Sequence, residues 1–168
     1  MPKVLGVLVS LLAVVLSVPV HADQYPSKVI TIIVPYSAGG PTDTVARLVG
    51  KAMSGPLKTQ IIIENVEGAG GTIATARAAS SAPDGYTLFL HHIGLSTAPA
   101  LYRKLSYDPQ KDLEPIGQVG DVAMTIVARK DFPARDLKEF IASLKANKEK
   151  VNLANAGIGA ASHLCGML

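Results

Sequence analysis

The stretch "PYSAGGPTDTVARLV" (35–49) follows the apolar run "VITIIV" (29–34). The run is rich in β-branched residues and predicts a buried strand. After it come Pro35, Ser37, the pair Gly39–Gly40 and Pro41, and then a helical pattern. Pro41 suits the first helical position. Asp43 lies in the first turn, where a carboxylate favours the helix dipole. Val45, Leu48, Val49, Ala52 and Met53 share one helical face, and "SGP" (54–56) is expected to stop the helix. Two glycines between a strand's carboxyl end and a helix's amino end let backbone N–H groups approach a ligand with no Cβ in the way.

The same arrangement recurs along the chain. "QIIIEN" (60–65) predicts a second strand, "VEGAGGT" (66–72) a second glycine-rich loop and "IATARAASSA" (73–82) an alanine-rich helix. A turn at "PDG" (83–85) leads into a third strand, "YTLFLHH" (86–92), and then "IGLSTAPALY" (93–102). Strand, loop and helix twice over, followed by a strand, is a βαβαβ unit with a parallel sheet. Beyond Tyr102 the segment "RKLSYDPQKDLEP" reads as a connection, and "IGQVGDVAMTIVAR" (116–129) as a long strand with glycines inside it. An amphipathic helix is expected at 136–147, with Leu137, Phe140, Ile141 and Leu144 on one side. A short strand at "VNLAN", a small-residue loop "AGIGAASH" and the start of a helix at "LCGML" close the chain.

Four loops, "PYSAGG", "NVEGAGG", "HHIGLST" and "NAGIGAAS", thus follow strand ends, where open parallel sheets bind ligands. Three of them also precede a helix, whose free N–H groups attract anions. Thr42 and Asp43 in the first loop, Gly70 and Gly71 in the second and His92 in the third are candidate ligand contacts. Asp43 could meet an ammonium group or only stabilise its helix. No Lys or Arg occurs in 35–46, 65–76, 91–102 or 151–168. A polyphosphate site usually adds one, so this donor set of amides, hydroxyls and imidazole suits a carboxylate. The plainer alternative is that the glycines only make tight turns.

Rival chemistries are poorly supported. "GAGG" lacks the Lys-Ser/Thr of a P-loop, and Ile73 stands where a dinucleotide fingerprint starting at Gly68 needs glycine. His91 and His92, adjacent at a strand end, are expected to point to opposite faces, one lining the cleft while the other packs. His163 and Cys165, two apart, do not face each other on a helix, and Cys165 is expected to be a small core residue. No metal, cofactor or catalytic residue is expected.

Composition narrows the setting. The chain has 168 residues, 48% of them hydrophobic and 5% aromatic, with no Trp and one Cys. "MPK", the apolar stretch "VLGVLVSLLAVVLSV" and "PVHA" before Asp23 have the layout of a signal peptide cleaved near Ala22. The apolar run is shorter than the roughly 20 residues a spanning helix needs. Without Lys3, 15 basic residues face 13 acidic ones. The excess is small and unclustered, so no nucleic-acid partner is expected. A single cysteine provides no internal disulfide framework.

The segments "YPSKVITIIVPYSAGGPTDTVARLV", "ENVEGAGGTIATARAASSAPDGYTLFL", "LYRKLSYDPQKDLEPI" and "NLANAGIGAASHL", in this order, resemble the tripartite tricarboxylate transporter substrate-binding receptors, the Bug family. The resemblance runs from about Tyr25 to the end. It implies an α/β fold, a two-lobed periplasmic binding protein of type II-like build, with hinge closure around a small carboxylate (a di- or tricarboxylate or related organic acid) delivered to membrane permease subunits. The expected organisation is a signal peptide (1–22), the N-terminal part of the first lobe (23–121) and an incomplete second lobe (122–168). Carried over, the ligand contacts are Ser37, Ala38, Gly39 and Gly40, then Asn155, Ala156, Gly157 and Gly159, with Ser162 and His163 nearby. Ser37 replaces a proline frequent in the family, and Ala160 and Ala161 stand where serines are frequent. Family members are about twice as long, so the chain reads as ending inside the second lobe, exported but without useful affinity by itself. A ligand-presenting signalling receptor, an inactive truncated product and a hydrolase using His92 or His163 are the rival readings.

Overall fold

The computed structural model describes residues 24–168; the expected signal segment, 1–22, lies outside the described residues. Three parallel strands, β1 (Ile30–Val34), β2 (Ile61–Asn65) and β3 (Thr87–Phe89), form one sheet in the order β2-β1-β3. Ile32 sits opposite Ile63 on one side and Leu88 on the other. The central strand is covered on both faces, which is why Ile30, Ile32, Ile33 and Val34 are all buried and its sequence shows no polar alternation. The βαβαβ expectation holds.

Helix α1 (Pro41–Leu57) packs on β1 and β2, and α2 (Thr72–Ala79) packs on β1 and β3. Ala46 of α1 joins Ile32 and Val34 in the core, with Met53, Ile61, Ile63, Leu88 and Leu90 around them. The face differs from the one read off the hydrophobic periodicity. Leu48 is 64% exposed and Ala52 is exposed, while Ala46 and Gly50 are buried. A Cβ on Gly50 would lie 3.1 Å from Ile61 Cγ2, so the helix sits close to β2 on its small residues. The helix also continues past Ser54, through Pro56 to Leu57. Proline removes one intrahelical bond, and only one residue remains to be closed. Lys58, in the left-handed conformation, then ends the helix by donating its N–H to Gly55 O at 3.2 Å.

Helix α3 (Gly94–Leu101) follows β3 and packs against α2 and against the 3-10 turn Ala69–Gly71. After Tyr102 the chain is looser. The segment 116–129 has no strand partner and is exposed, contrary to the strand expected there: Ile116 is 85% and Val127 87% exposed. Residues 151–155 likewise form no strand. A strand exists only by pairing, and neither segment finds a neighbouring edge among the described residues. The expected amphipathic helix is present as α4 (Leu137–Ala146), capped by Asp136, whose carboxylate accepts the Glu139 N–H at 2.8 Å. It fully buries no residue: Leu137 and Ile141 are exposed, while Leu144 and Phe140, the latter against Phe132, are half-buried. A short helix, α5 (Ala161–Met167), ends the chain, and Cys165 is exposed on it rather than in a core. Among the described residues no helix is long and apolar enough to cross a membrane.

Candidate functional site

The loops after β1, β2 and β3 and the 155–160 loop converge on the carboxyl edge of the sheet. In a sheet ordered 2-1-3, connections from β1 and β3 diverge there and leave a crevice. Tyr36 lies just past β1 and is half-buried. Its ring stacks on His92 (centroids 4.5 Å apart, 9° between planes) and meets His91 edge-on at 5.7 Å. The two imidazoles therefore do not point to opposite faces. β3 ends at Phe89, so strand alternation no longer governs positions 91 and 92. The Tyr36 hydroxyl reaches Gly70 O at 3.4 Å, and burial pushes its pKa up.

Among the described residues, four of the five helices begin with no cap from the N-cap side chain, and they are the four that follow these loops: α1, α2, α3 and α5. The one helix outside the loop set, α4, is capped by its own aspartate. The first amides of α3 are nonetheless taken up, Gly94 N by His92 Nδ1, Leu95 N by His92 O and Ser96 N and Thr97 N by Ile93 O, so this end offers no free donors to a ligand.

Asp43 is 1% exposed, and its carboxylate is engaged within the protein. Its carboxylate accepts from Gly39 N (2.8 Å), Arg47 Nε (2.8 Å) and Asn65 Nδ2 (3.0 Å). The Arg47 hydrogen bond and then the Gly39 amide hold its pKa down at about 2. Asn65 Nδ2 also donates to Tyr36 O at 2.9 Å. Asp43 thus ties the first loop to the end of β2, and the Gly39 amide is engaged in doing so. Gly40 N donates to Ser37 O at 3.2 Å. Ser37, Ala38 and Gly39 remain exposed, and Gly40 and Thr42 half-buried. The scarcity of basic residues in the loops does not keep cations away. Arg47 and Lys51 line an open depression of about 620 Å³ on the outer side of α1, together with Ala38, Gly39, Asp43, Thr44 and Leu48.

Side chains, more than glycines, organise the 155–160 loop. Asn155 Oδ1 accepts Gly157 N at 2.9 Å, Ser162 Oγ accepts Ala156 N at 3.0 Å and His163 Nδ1 accepts Gly159 N at 3.3 Å. These amides are occupied by the loop itself. What stays free for a ligand is the other end of each side chain: the Asn155 amide nitrogen, the Ser162 hydroxyl proton and His163 Nε2. The two histidines after β3 follow the same rule, with His91 Nδ1 accepting from His92 N (2.7 Å) and His92 Nδ1 from Gly94 N (3.2 Å). An imidazole whose Nδ1 accepts offers its Nε2–H as a donor. Burial lowers the His91 pKa to about 3, with His92 adding to it, and lowers that of His92 too.

The second and fourth loops touch. A Cβ on Gly70, whose φ is +63°, would collide with the Ile158 carbonyl oxygen, and one on Gly157 would lie 3.0 Å from Gly70 Cα. Gly71 is buried against His91 and Pro35. Tyr102 and Thr97, which drew no attention as candidates in the sequence, also reach the fourth loop. The Tyr102 hydroxyl lies 2.7 Å from Ala69 O and 3.0 Å from Ile158 O, and Thr97 Oγ1 lies 3.1 Å from Gly159 O. Their only sequence signal was a place on the helix after the third loop. Among the described residues no group of three or more His, Cys, Asp or Glu could hold a metal ion.

Comparison with known proteins agrees with this architecture. Residues 45–167 match the model of the tripartite tricarboxylate transporter family receptor (TctC). The solved periplasmic binding protein BugD superposes with a TM-score of 0.82 at 52% identity, over 84% of this chain and 48% of that one. MatC from Rhodopseudomonas palustris, solved with bound malate, gives a TM-score of 0.76 at 43% identity, over 82% of this chain and 47% of that one. A protein of the TAR-I ttuE-ttuC' intergenic region of Agrobacterium vitis is 48% identical over 146 residues, 87% of this chain and 42% of its own length. The chain thus spans less than half the length of the curated relatives it matches, and its fold is the corresponding part of a periplasmic binding protein. It belongs to the tripartite tricarboxylate transporter receptor family, the Bug receptors.

Proposed function

We propose that this chain carries the carboxylate-binding loops of an extracytoplasmic solute receptor, with a small dicarboxylate as ligand. The observation that carries the reading is the convergence of three strand-end loops and the 155–160 loop on one edge, with side-chain and backbone donors around them. The bound malate of MatC, a relative at 43% identity, supports the ligand class. One ligand carboxylate is received by the first loop at Ser37, Ala38, Gly39, Gly40 and Thr42. The other meets Asn155, Ser162 and His163 beside Ala156, Gly157 and Gly159, with His92 between and Gly70 and Gly71 shaping the wall. Asp43 serves by holding the first loop in place. Residues 23–121 contribute to one lobe and 122–168 to the second. Closure of the two about a hinge buries the anion, and membrane permease subunits receive it. Location in the periplasm is the reading that the family and the signal-like sequence of 1–22 support.

The reading is tested by adding malate to the isotopically labelled chain and following amide resonances. Shifts at Ser37, Ala38, Thr42 and 155–163 with malate, and none with its uncharged dimethyl ester, are expected. Equal response to acid and ester, or no response at saturating malate, would remove the reading.

A further inference from the structure

The Tyr102 and Thr97 hydroxyls share an arrangement that the binding reading does not require. Each has one proton and faces two carbonyl oxygens. Tyr102 Oη lies 2.7 Å from Ala69 O, in the second loop, and 3.0 Å from Ile158 O, in the fourth. Thr97 Oγ1 lies 3.3 Å from Gly94 O, in its own helix, and 3.1 Å from Gly159 O. In both cases one acceptor belongs to the strand-and-helix unit that carries the hydroxyl, and the other belongs to the loop docked on it. Consecutive carbonyls of that loop, at 158 and 159, are met by two hydroxyls from α3 and its C-terminal cap. Beside them the Gly70 and Gly157 backbones are in contact, at a spacing that leaves no room for a Cβ on Gly70.

We infer that Thr97 and Tyr102 are the positioning residues of the 155–160 loop: they hold it against the second loop by hydroxyl bonds whose protons each have an alternative acceptor within the first unit. The physical consequence is a reversible latch. When the loop leaves, neither hydroxyl is stranded, because Ala69 O and Gly94 O remain within reach. Neither hydroxyl is fully buried, so water as well as these carbonyls can receive its proton, and opening strands no donor. When the loop docks, two carbonyls gain donors and the glycine pair allows the backbones to meet. The orientation of Asn155, Ser162 and His163, bonded to this same loop, then depends on two side chains that touch no ligand. This inference rests on the carboxylate-binding reading only for its purpose, not for its geometry.

The test is amide hydrogen exchange on the full chain without ligand, followed over 156–160 and over β1. Tyr102→Phe keeps the ring and removes the proton; exchange at 156–160 is expected to rise about fivefold, the worth of one hydrogen bond, with β1 unchanged. Thr97→Val keeps the shape and should act alike, whereas Thr97→Ser keeps the hydroxyl and should retain protection. A packing role would reverse that order, with Val protecting and Ser exposing. Gly70→Ala should release the loop more than either. Unchanged exchange at 156–160 in Tyr102→Phe, or the reversed Val/Ser order, overturns the latch whatever malate does. Loop release in these variants, in a chain whose resonances ignore malate, establishes the latch while removing the carboxylate reading.

Discussion

Asp43 shows how much one side chain can decide. Its two oxygens receive three donors from the first loop, from α1 and from β2, with almost no access to water. Asp43→Ala leaves the Asn65 amide and the Arg47 guanidinium without their acceptor, and a loss of about 3 kcal/mol is expected, read from urea unfolding. Because its pKa is lowered to about 2 from the ordinary 3.8, the Asp43 contribution is present above pH 3.8 and lost as pH falls through about 2. His91 acts in the same direction over a different window. Its pKa falls from 6.5 to about 3 where it faces Tyr36, Phe89 and His92. Below pH 6.5 the unfolded chain binds a proton that the folded chain refuses. Stability should therefore fall with decreasing pH by up to about 1.4 kcal/mol per pH unit toward pH 3. His91→Gln should flatten that limb in denaturant titrations run from pH 7 to pH 4. Gly39, with φ of +82° and nothing within 4 Å of a would-be Cβ, is the opposite case. Gly39→Val should cost about 1–2 kcal/mol in backbone strain yet leave the sheet intact. Loss of the malate-induced shift at Ser37 and Ala38 with native-like circular dichroism is the expected result.

At the scale of elements, α1 is instructive. Hydrophobic periodicity selects Leu48 and Ala52, but the helix turns Ala46 and Gly50 to the sheet. Small residues carry little hydrophobic signal, and what chose them is the close approach to Ile61. Leu48→Ala should therefore change stability by less than about 0.5 kcal/mol. Gly50→Val, forced against Ile61 Cγ2, should lose about 1–3 kcal/mol to overpacking. Thermal and urea melts of the pair separate the two views of the helix. The same limit explains the missing strands. Residues 116–129 have strand composition, and composition cannot supply a neighbour. Helix α4 formed as expected because its start signals, Asp136 and Glu139, are local.

For the molecule as a whole, order should divide along the chain. Hydrogen exchange is expected to be slowest in β1, covered on both faces, and near the unprotected rate across 116–129, where the backbone has no ladder partner. Strong protection across 116–129 would mean that the segment finds a pairing edge in solution. The two halves differ because the first closes its own hydrogen bonds within about 60 residues of sequence and the second does not.

What the sequence determined by itself was the order of elements in the first half, the parallel sheet and the placing of three glycine-containing loops after strand ends; the fourth loop, at 155–160, follows no strand. Each of these is written in near-neighbour chemistry: β-branched runs, a proline at a helix start, glycines where Cβ atoms would obstruct. The family was legible in the same segments, in their order. Tertiary structure alone decided which groups those loops leave free. Asp43 turned inward because three donors meet it there. Three imidazoles keep only Nε2 for other partners because a backbone N–H occupies each Nδ1. Tyr102 and Thr97 reach the fourth loop from 56 and 62 residues away. A hydrogen bond between distant segments depends on where two backbones come to lie, and local pattern holds no record of that separation.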